Sequence, residues 1–580
     1  FVEAGFARPF AARAAQLAAP AELRVADRLL LHALGACIDQ ASAAGLLQGK
    51  RVRLVLGTSS GGMEAAEQLF RLRAAAADPA QLDVRDTALA STYFAPHQRA
   101  VARLEAAGAA PQRALHLVTA CAASTWALGV GLRWLQEDDC DLVFAGGYDA
   151  LTVFVGAGFE CLRATSASRP SPFALTRDGM ALGEGAGVVA LVREGEEGRA
   201  LRRSFVSGFG ASTDAFHVTA PDRNGDGLYR AGAAALADAG LSSQQCGLVS
   251  AHATATPFND AMEWKAIERL FGVHAPYVHP FKAQIGHTLG AAGVLETLAL
   301  ARAVELGCIP AAVIPATPDP ETPARLAPVT CAAPLQAGLK LSAAFGGANA
   351  ALIVERADVA PSRHVRPARR AFVRNFAQVD AVDLERLALV TGQAQDKLER
   401  LDALSLLAAS AVAQLQDRGA LAGDGAGVVV GHSLATLDIN ERFFSKVLGK
   451  GPRFAEPKLF PPTSPNLVAG QLAILFGLRG PSAALAGGPN TALDPMALAR
   501  TLVRCGDCER VVVVAIDYLG ETSRFVQAEA FAAHEDVQHG ATVALVDCVA
   551  EGSLFELRCE PPRVGFGRIA LLDYLRGQGS

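Results

Sequence analysis

Short apolar runs alternate with longer stretches of helical spacing along the chain. In the first part, apolar groups recur every four residues at Val25, Leu29, Ala33 and Cys37, and residues 1–48 predict mostly helix. Arg51 to Leu56 reads as a strand, with the loop Gly57-Thr58-Ser59-Ser60-Gly61-Gly62 after it and a helix from Met63 to Arg73. The apolar run ending at Val118 predicts a buried strand. The helical stretch Trp126 to Leu135 follows, then strands at Asp141 to Ala145 and Val188 to Val192. A second set continues with strands at Phe205 to Phe209 and Leu248 to Ala251 and helices at Leu228 to Ala239, Glu263 to Phe271 and Leu289 to Val304. Lys282 to His287 reads as a loop, and strands at Leu339 to Ser342 and Ala351 to Glu355 bracket a Gly-rich turn. Strands alternating with helices predict α/β layers around a buried sheet.

Past Pro361 and Pro367 the first pattern returns. Leu401 to Gln416 and Asn466 to Gly477 read as helices, and Gly427 to Val430, Val511 to Ala515 and Ala541 to Val546 as strands. Cys508-Glu509 precedes its strand as Cys140-Asp141 precedes the earlier one, and Gly540-Ala541 echoes Gly185-Ala186. The same spacing that leads from Cys140 back to Cys121 leads from Cys508 back to Pro489, which has neither a nucleophile nor a backbone N–H. The chain therefore carries an internal repeat of its first α/β half. Its predicted organisation is a domain over 1–356 (halves about 1–200 and 201–356), a linker at 357–370, a half domain at 371–552 and a tail at 553–580.

Bulk properties narrow the classes. With 580 residues, 51% apolar and 19% charged, the chain can bury a sizeable core. A net charge of −5 gives no reason to expect nucleic-acid binding. No apolar run reaches membrane-spanning length, and no signal peptide is visible. Eleven irregularly spaced cysteines in a large chain suggest reduced thiols and a cytoplasmic setting.

Three stretches offer chemistry. Cys121 sits in Thr119-Ala120-Cys121-Ala122-Ala123-Ser124, where a strand ends and a helix begins; the positive end of the helix dipole there favours thiolate. The second stretch is His252-Ala253-Thr254-Ala255-Thr256, followed by Asp260 and Glu263. The third runs from Lys282 through His287 to Gly293 and Glu296. Taken singly, the cysteine fits a core position and each histidine a satisfied structural one. Display at strand ends among small residues is the functional signal.

Together these stretches make the first 356 residues resemble β-ketoacyl-acyl carrier protein synthases, condensing enzymes of the thiolase fold. The resemblance rests on the Cys121 elbow, the His252 motif, Lys282-x-x-x-Gly286-His287-x-x-Gly290-Ala-Ala-Gly293, and Ala344-Phe345-Gly346-Gly347. It implies an αβαβα fold followed by a partial repeat of it. It implies that Cys121 stores an acyl group as a thioester, and that His252 and His287 stabilise the enolate formed when malonyl carrier protein loses carbon dioxide. Backbone N–H groups of Cys121 and Phe345 would form the oxyanion hole, with Phe345 as the gate. Lys282 and Glu296 would pair to orient His287, and Thr254, Thr256, Gly346 and Gly347 would border the substrate. No metal or organic cofactor is implied, the phosphopantetheine arm belonging to an acyl carrier protein partner.

Three departures from the family pattern carry expectations. Alanines at 253 and 255 stand where glycines are usual, which predicts different packing of that loop, and Ala344 replaces the glycine before Phe345. The usual first strand is not recognisable. With Pro489 at the cysteine position, residues 371–552 resemble a shortened, silent chain-length factor. Ketosynthases usually pair through this half, so a homodimer, or a heterodimer with a ketosynthase-like subunit, is expected. The unit is expected to help wall an acyl tunnel, and the setting to be polyketide or polyene rather than fatty acid synthesis. The arginines from Arg363 to Arg374 are candidates for a carrier-protein surface. A non-catalytic acyl-binding scaffold and a non-decarboxylating cysteine acyltransferase are the competing readings.

Overall fold

A computed structural model describes residues 5–8, 10–14, 23–78, 82–194, 204–358, 368–415, 421–488, 492–531, 538–558, 560–561 and 567–578. Two sheets organise these residues. The larger contains β1 (Val52–Gly57), β2 (Arg113–Leu117), β3 (Leu142–Asp149) and β4 (Gly185–Val192) from the first part of the chain. The smaller contains β5 (Ser204–Thr213), β6 (Cys246–Ser250), β7 (Tyr277–His279), β8 (Ala337–Ala343) and β9 (Ala348–Arg356), in the order β5-β9-β8-β6-β7. β10 (Phe372–Val379), β11 (Ala426–His432), β12 (Ser482–Leu485), β13 (Arg510–Asp517), β14 (Gly540–Asp547) and β15 (Phe555–Glu556) come from the repeat. They join the larger sheet, which runs β15-β10-β14-β13-β11-β12-β2-β1-β3-β4. This is the expected layered α/β architecture.

One junction fuses the two units. β12 meets β2 antiparallel, with Leu485 opposite Leu117, Val118 N–H donating to Ala484 O at 2.8 Å and Ala486 N–H to His116 O at 3.1 Å. The ten strands therefore share one hydrogen-bonded surface, and one apolar cluster runs from Leu117 and Trp126 to Leu485 and Leu498. The edge of the first unit's sheet at β2 is covered from within the same chain.

The repeat is closer than strand order alone. Asp149 at the end of β3 accepts from Ser59 N–H at 2.8 Å; Asp517 at the end of β13 accepts from Ser433 N–H at 3.0 Å. Both carboxylates are buried and hold the loop after a neighbouring strand. α1 (Val25–Ala43) covers the outer face of the first unit. Between the two sheets lie α3 (Ala123–Gln136), which starts at the Cys121 elbow, and α4 (Ala292–Leu306). α2 (Ala95–Ala106) precedes β2 as α5 (Leu467–Phe476) precedes β12. α6 (Asp494–Arg504) is the repeat's counterpart of α3. α7 (Gly567–Gln578) packs on β13 and β14 where α4 packs on β3 and β4. Its Leu571 and Leu575 are buried, so the stretch read as a tail supplies a core helix.

Some expectations shift. Among the described residues of 1–48 there is one long helix, α1, preceded by the two-residue strand Ala11–Ala12 paired with Leu182–Gly183. Lys282–Ile285 is a helical turn rather than a loop. The strand missing at the start of the first unit is present in the second: β10 pairs with β14, whereas β4, the counterpart of β14, is the last strand at its end of the sheet among the described residues. Pro489 and most of the 357–370 linker lie outside the described residues. So do Arg363 and Arg366, while Arg370 pairs with Glu556 and Arg374 lies 3.8 Å from Asp547.

Ion pairs fasten the junction. Arg113 on β2, 4% exposed, reaches Asp494 at 2.9 Å and Glu560 at 3.3 Å. Arg133 lies 2.7 Å from Asp238 and 2.5 Å from Asp507. Stripping one member of a buried pair leaves its partner's charge desolvated. Arg113→Met should therefore lower stability by about 3–5 kcal/mol in urea unfolding followed by tryptophan fluorescence. Removing the exposed Arg302 from its pair with Glu305 should cost under about 1 kcal/mol.

Candidate active site

Cys121 lies in the single helical turn Ala120–Ala122 between β2 and α3. Ala120 before it has φ 45°, a left-handed backbone that costs a residue with a side chain about 1–2 kcal/mol. The sharp turn places the thiol at the start of α3, as expected, and only 9% exposed. Burial pushes the Cys121 thiol from 9.0 up to about 12, with the Lys282 charge pulling the other way. Desolvation thus opposes the pull of the helix field on the thiol.

The two histidines meet edge to face, ring centroids 5.5 Å apart, both buried. His287 Nδ1 accepts from Leu289 N–H at 3.2 Å. A lysinium only donates, and Lys282 Nζ stands 3.4 Å from His252 Nδ1. In both rings the proton of the neutral form is left on Nε2. Burial, and then the Lys282 charge, hold both well below the usual histidine range, so both are neutral donors. Glu263 accepts from the N–H groups of His252 at 2.5 Å and Ala253 at 2.6 Å, and Asp260 from that of Ala255 at 3.1 Å. Ala253 and Ala255 take φ 40° and 59°. The loop therefore keeps a glycine-like path under strain instead of repacking. Thr254 and Thr256 hydroxyls lie 3.0 Å apart.

Lys282 and Glu296 pair at 2.6 Å, as expected. Lys340 on β8 was not singled out from the sequence. Fully buried, its Nζ lies 2.5 Å from the other oxygen of Glu296, so one carboxylate is held between two lysines. A lysine inside the apolar run Leu339-Lys340-Leu341 was the available signal.

Cys121 opens on a cavity of about 50 Å³. Ser59, Tyr93, Phe159, Leu289 and Phe345 line it from the first unit, and Phe460, Pro461, Thr463 and Ser464 from the second. Tyr93 OH donates to Thr463 O at 3.0 Å across the junction. Gly346 and Gly347 have φ 81° and 76°, whereas Ala344 is extended at −136°, a conformation open to any residue. The substitution at 344 therefore leaves the loop path unstrained.

Two outcomes follow. Ala255→Gly should raise stability by about 1 kcal/mol, read as an upward shift in the thermal midpoint. Burial lowers Lys340 from 10.5 to about 8. Between those values the unfolded chain binds the proton more readily than the folded one, so stability rises with pH. The stability difference between wild type and Lys340→Met should move in favour of wild type from pH 7.5 to 10 in urea titrations.

Comparison with known proteins agrees with this geometry. The beta-ketoacyl synthase N-terminal domain family matches residues 10–197 and 371–542, and the C-terminal domain family matches 203–314. A mitochondrial 3-oxoacyl-[acyl-carrier-protein] synthase of Arabidopsis thaliana is 36% identical over 255 residues, covering 41% of this chain and 55% of the relative. The 3-oxoacyl-[acyl-carrier-protein] synthase 2 of Rhizobium meliloti (strain 1021) is 37% identical over 256 residues, 41% of this chain and 60% of the relative. The chain thus spans under two thirds of the length of these relatives. The solved PfaC keto synthase–chain length factor shares the fold over 92% of this chain and 71% of its own, with TM-score 0.72 and 19% identity. The ishigamide ketosynthase/chain length factor covers 58% of this chain and 84% of its own, with TM-score 0.52 and 29% identity. Two ketosynthase amino-terminal units, one carboxy-terminal unit and a cysteine elbow walled by both halves place this chain in the beta-ketoacyl synthase family.

Proposed function

We propose that the protein is a β-ketoacyl-acyl carrier protein synthase that condenses an acyl group on Cys121 with malonyl carrier protein. The observation that carries this reading is the pair of buried, mutually packed histidines, with Lys282 beside His252 and its charge reaching the Cys121 thiol. In the first step Cys121 attacks an acyl thioester. The new C–S bond forms, the pantetheine C–S bond breaks, and the thiol proton ends on the departing pantetheine sulfur. Malonyl thioester then binds. Its carboxylate leaves as carbon dioxide, and the electron pair moves into an enolate whose oxygen accepts from His252 and His287 Nε2–H. The enolate carbon attacks the acyl-cysteine carbonyl. The tetrahedral oxyanion is met by the N–H groups of Cys121, second in the turn Ala120–Ala122, and of Phe345, first in the turn Phe345–Gly347. Collapse releases the cysteine sulfur as thiolate, which takes one proton from solvent to restore the thiol, and leaves a chain two carbons longer on the carrier.

The buried Lys282–Glu296–Lys340 group keeps the histidines neutral, since a second positive charge beside either ring is unfavourable. The fused second unit in the cavity wall favours a specialised polyketide or polyene setting over general fatty acid synthesis. It also favours chain-length control by that unit.

Intact-protein mass after incubation with acyl carrier proteins should show an acyl adduct on wild type and none on Cys121→Ala. His287→Ala should still acylate but release carbon dioxide from malonyl carrier protein about 10²–10³-fold more slowly. A folded wild type that takes no acyl group from any donor would overturn the reading in favour of a scaffold. Acylation without carbon dioxide release would favour a plain acyltransferase.

A further inference from the structure

The Phe345-Gly346-Gly347 turn belongs to the first unit, yet the second unit holds it. Asn466 Nδ2, just before α5, donates to Phe345 O at 2.6 Å. The amide is aimed by Ser464, whose hydroxyl donates to Asn466 Oδ1 at 2.5 Å. One turn along α5, Gly470 lies directly on Gly346; a methyl group there would stand 2.6 Å from the Gly346 Cα. The Phe345 ring packs on Phe159 with centroids 5.6 Å apart and closes one side of the cavity. Phe345 is thus part of the wall that a group bound to Cys121 would lie against.

The other unit supplies an internal control. Asn466 and Gly470 precede the left-handed Gly477 by eleven and seven residues. His97 and Val101 precede the left-handed Gly108 by the same counts, in the counterpart helix α2. The ketosynthase carboxy-terminal family matches residues 203–314, within the first unit. His97 packs on His116 instead, at 5.0 Å between ring centroids. The amide and the glycine stand on the helix that meets the turn, and other residues stand on its counterpart.

We propose that Asn466 is a positioning residue through which the silent second unit latches the Phe345 turn over Cys121 and so selects the size of group admitted to the thiol. The latch rests on the proposed function only for the identity of that group, an acyl chain.

The test uses the full chain and needs no carrier protein. Cys121 alkylation rates are measured with iodoacetamide and with the bulkier N-phenylmaleimide, and sites are resolved by peptide mass spectrometry. Loss of one neutral hydrogen bond in Asn466→Ala should raise the bulky-to-small rate ratio at Cys121 about three- to tenfold. Ser464→Ala, which only frees the amide to turn, should raise it less. His97→Ala at the counterpart position should leave the ratio at its wild-type value, as should Cys246 and Cys508 in every variant. An unchanged ratio at Cys121 in Asn466→Ala overturns the proposal. So does an equal rise in His97→Ala or at Cys508, which would mark general loosening. Failure of wild type to accept acyl groups overturns the condensation reading without touching this result.

Discussion

The antiparallel meeting of β2 and β12 is the contact on which the rest of the molecule depends. Few backbone hydrogen bonds cross it, but they carry the larger sheet from one unit into the other. Helices on both sides then share one apolar cluster. A sheet edge left open would be a site for uncontrolled pairing. Filling that edge from the same chain fixes the partner and its register, and brings Phe460, Thr463 and Ser464 to the wall beside Cys121.

The site itself is an accumulation of unfavourable terms held by the surrounding packing. Ala120, Ala253 and Ala255 occupy left-handed backbone, the Cys121 thiol is buried, and two lysines share one carboxylate. Such strain persists only where neighbours over-determine the geometry. Here the neighbours are identifiable. Glu263 and Asp260 grip the N–H groups of the His252 loop. Asp149 gathers donors from the loop after β1 and from Gly290, and Ser124 Oγ accepts from Val294 N–H at 2.9 Å to lock α4 against α3. The two-lysine arrangement has an electrostatic reading as well: its positive charge disfavours a charged imidazole on either histidine.

The second unit contributes structure to the first unit's site. A proline stands at the spacing of its cysteine counterpart, and α7 covers β13 and β14. What it retains are the elements facing the first unit's site: β12, the 460–464 wall, and the start of α5 against the Phe345 turn.

Much of this was legible in the residues. Cys121, His252, Lys282, His287 and Glu296 are each announced by small or polar neighbours at strand ends, because the chemistry needs those types in local order. The repeat was legible too, since strands buried on both faces must be continuous apolar runs wherever they recur. The altered glycine positions were visible, but not their outcome, because a backbone torsion is set by what grips the loop from Glu263 and Asp260. Lys340 was hidden because a lysine in a strand ordinarily faces solvent, and only the fold brings it to Glu296. The burial that pushes the Cys121 thiol up was likewise not legible from local helix polarity, since desolvation depends on everything packed around the thiol. By itself, then, the sequence determined the candidate residues, the layers and the duplication, all of which rest on local patterns. Only the tertiary structure decided that the two units pair within one chain, that Asn466 meets Phe345, and that both units enclose the thiol. Those contacts join residues more than a hundred positions apart, and no local pattern encodes such a distance.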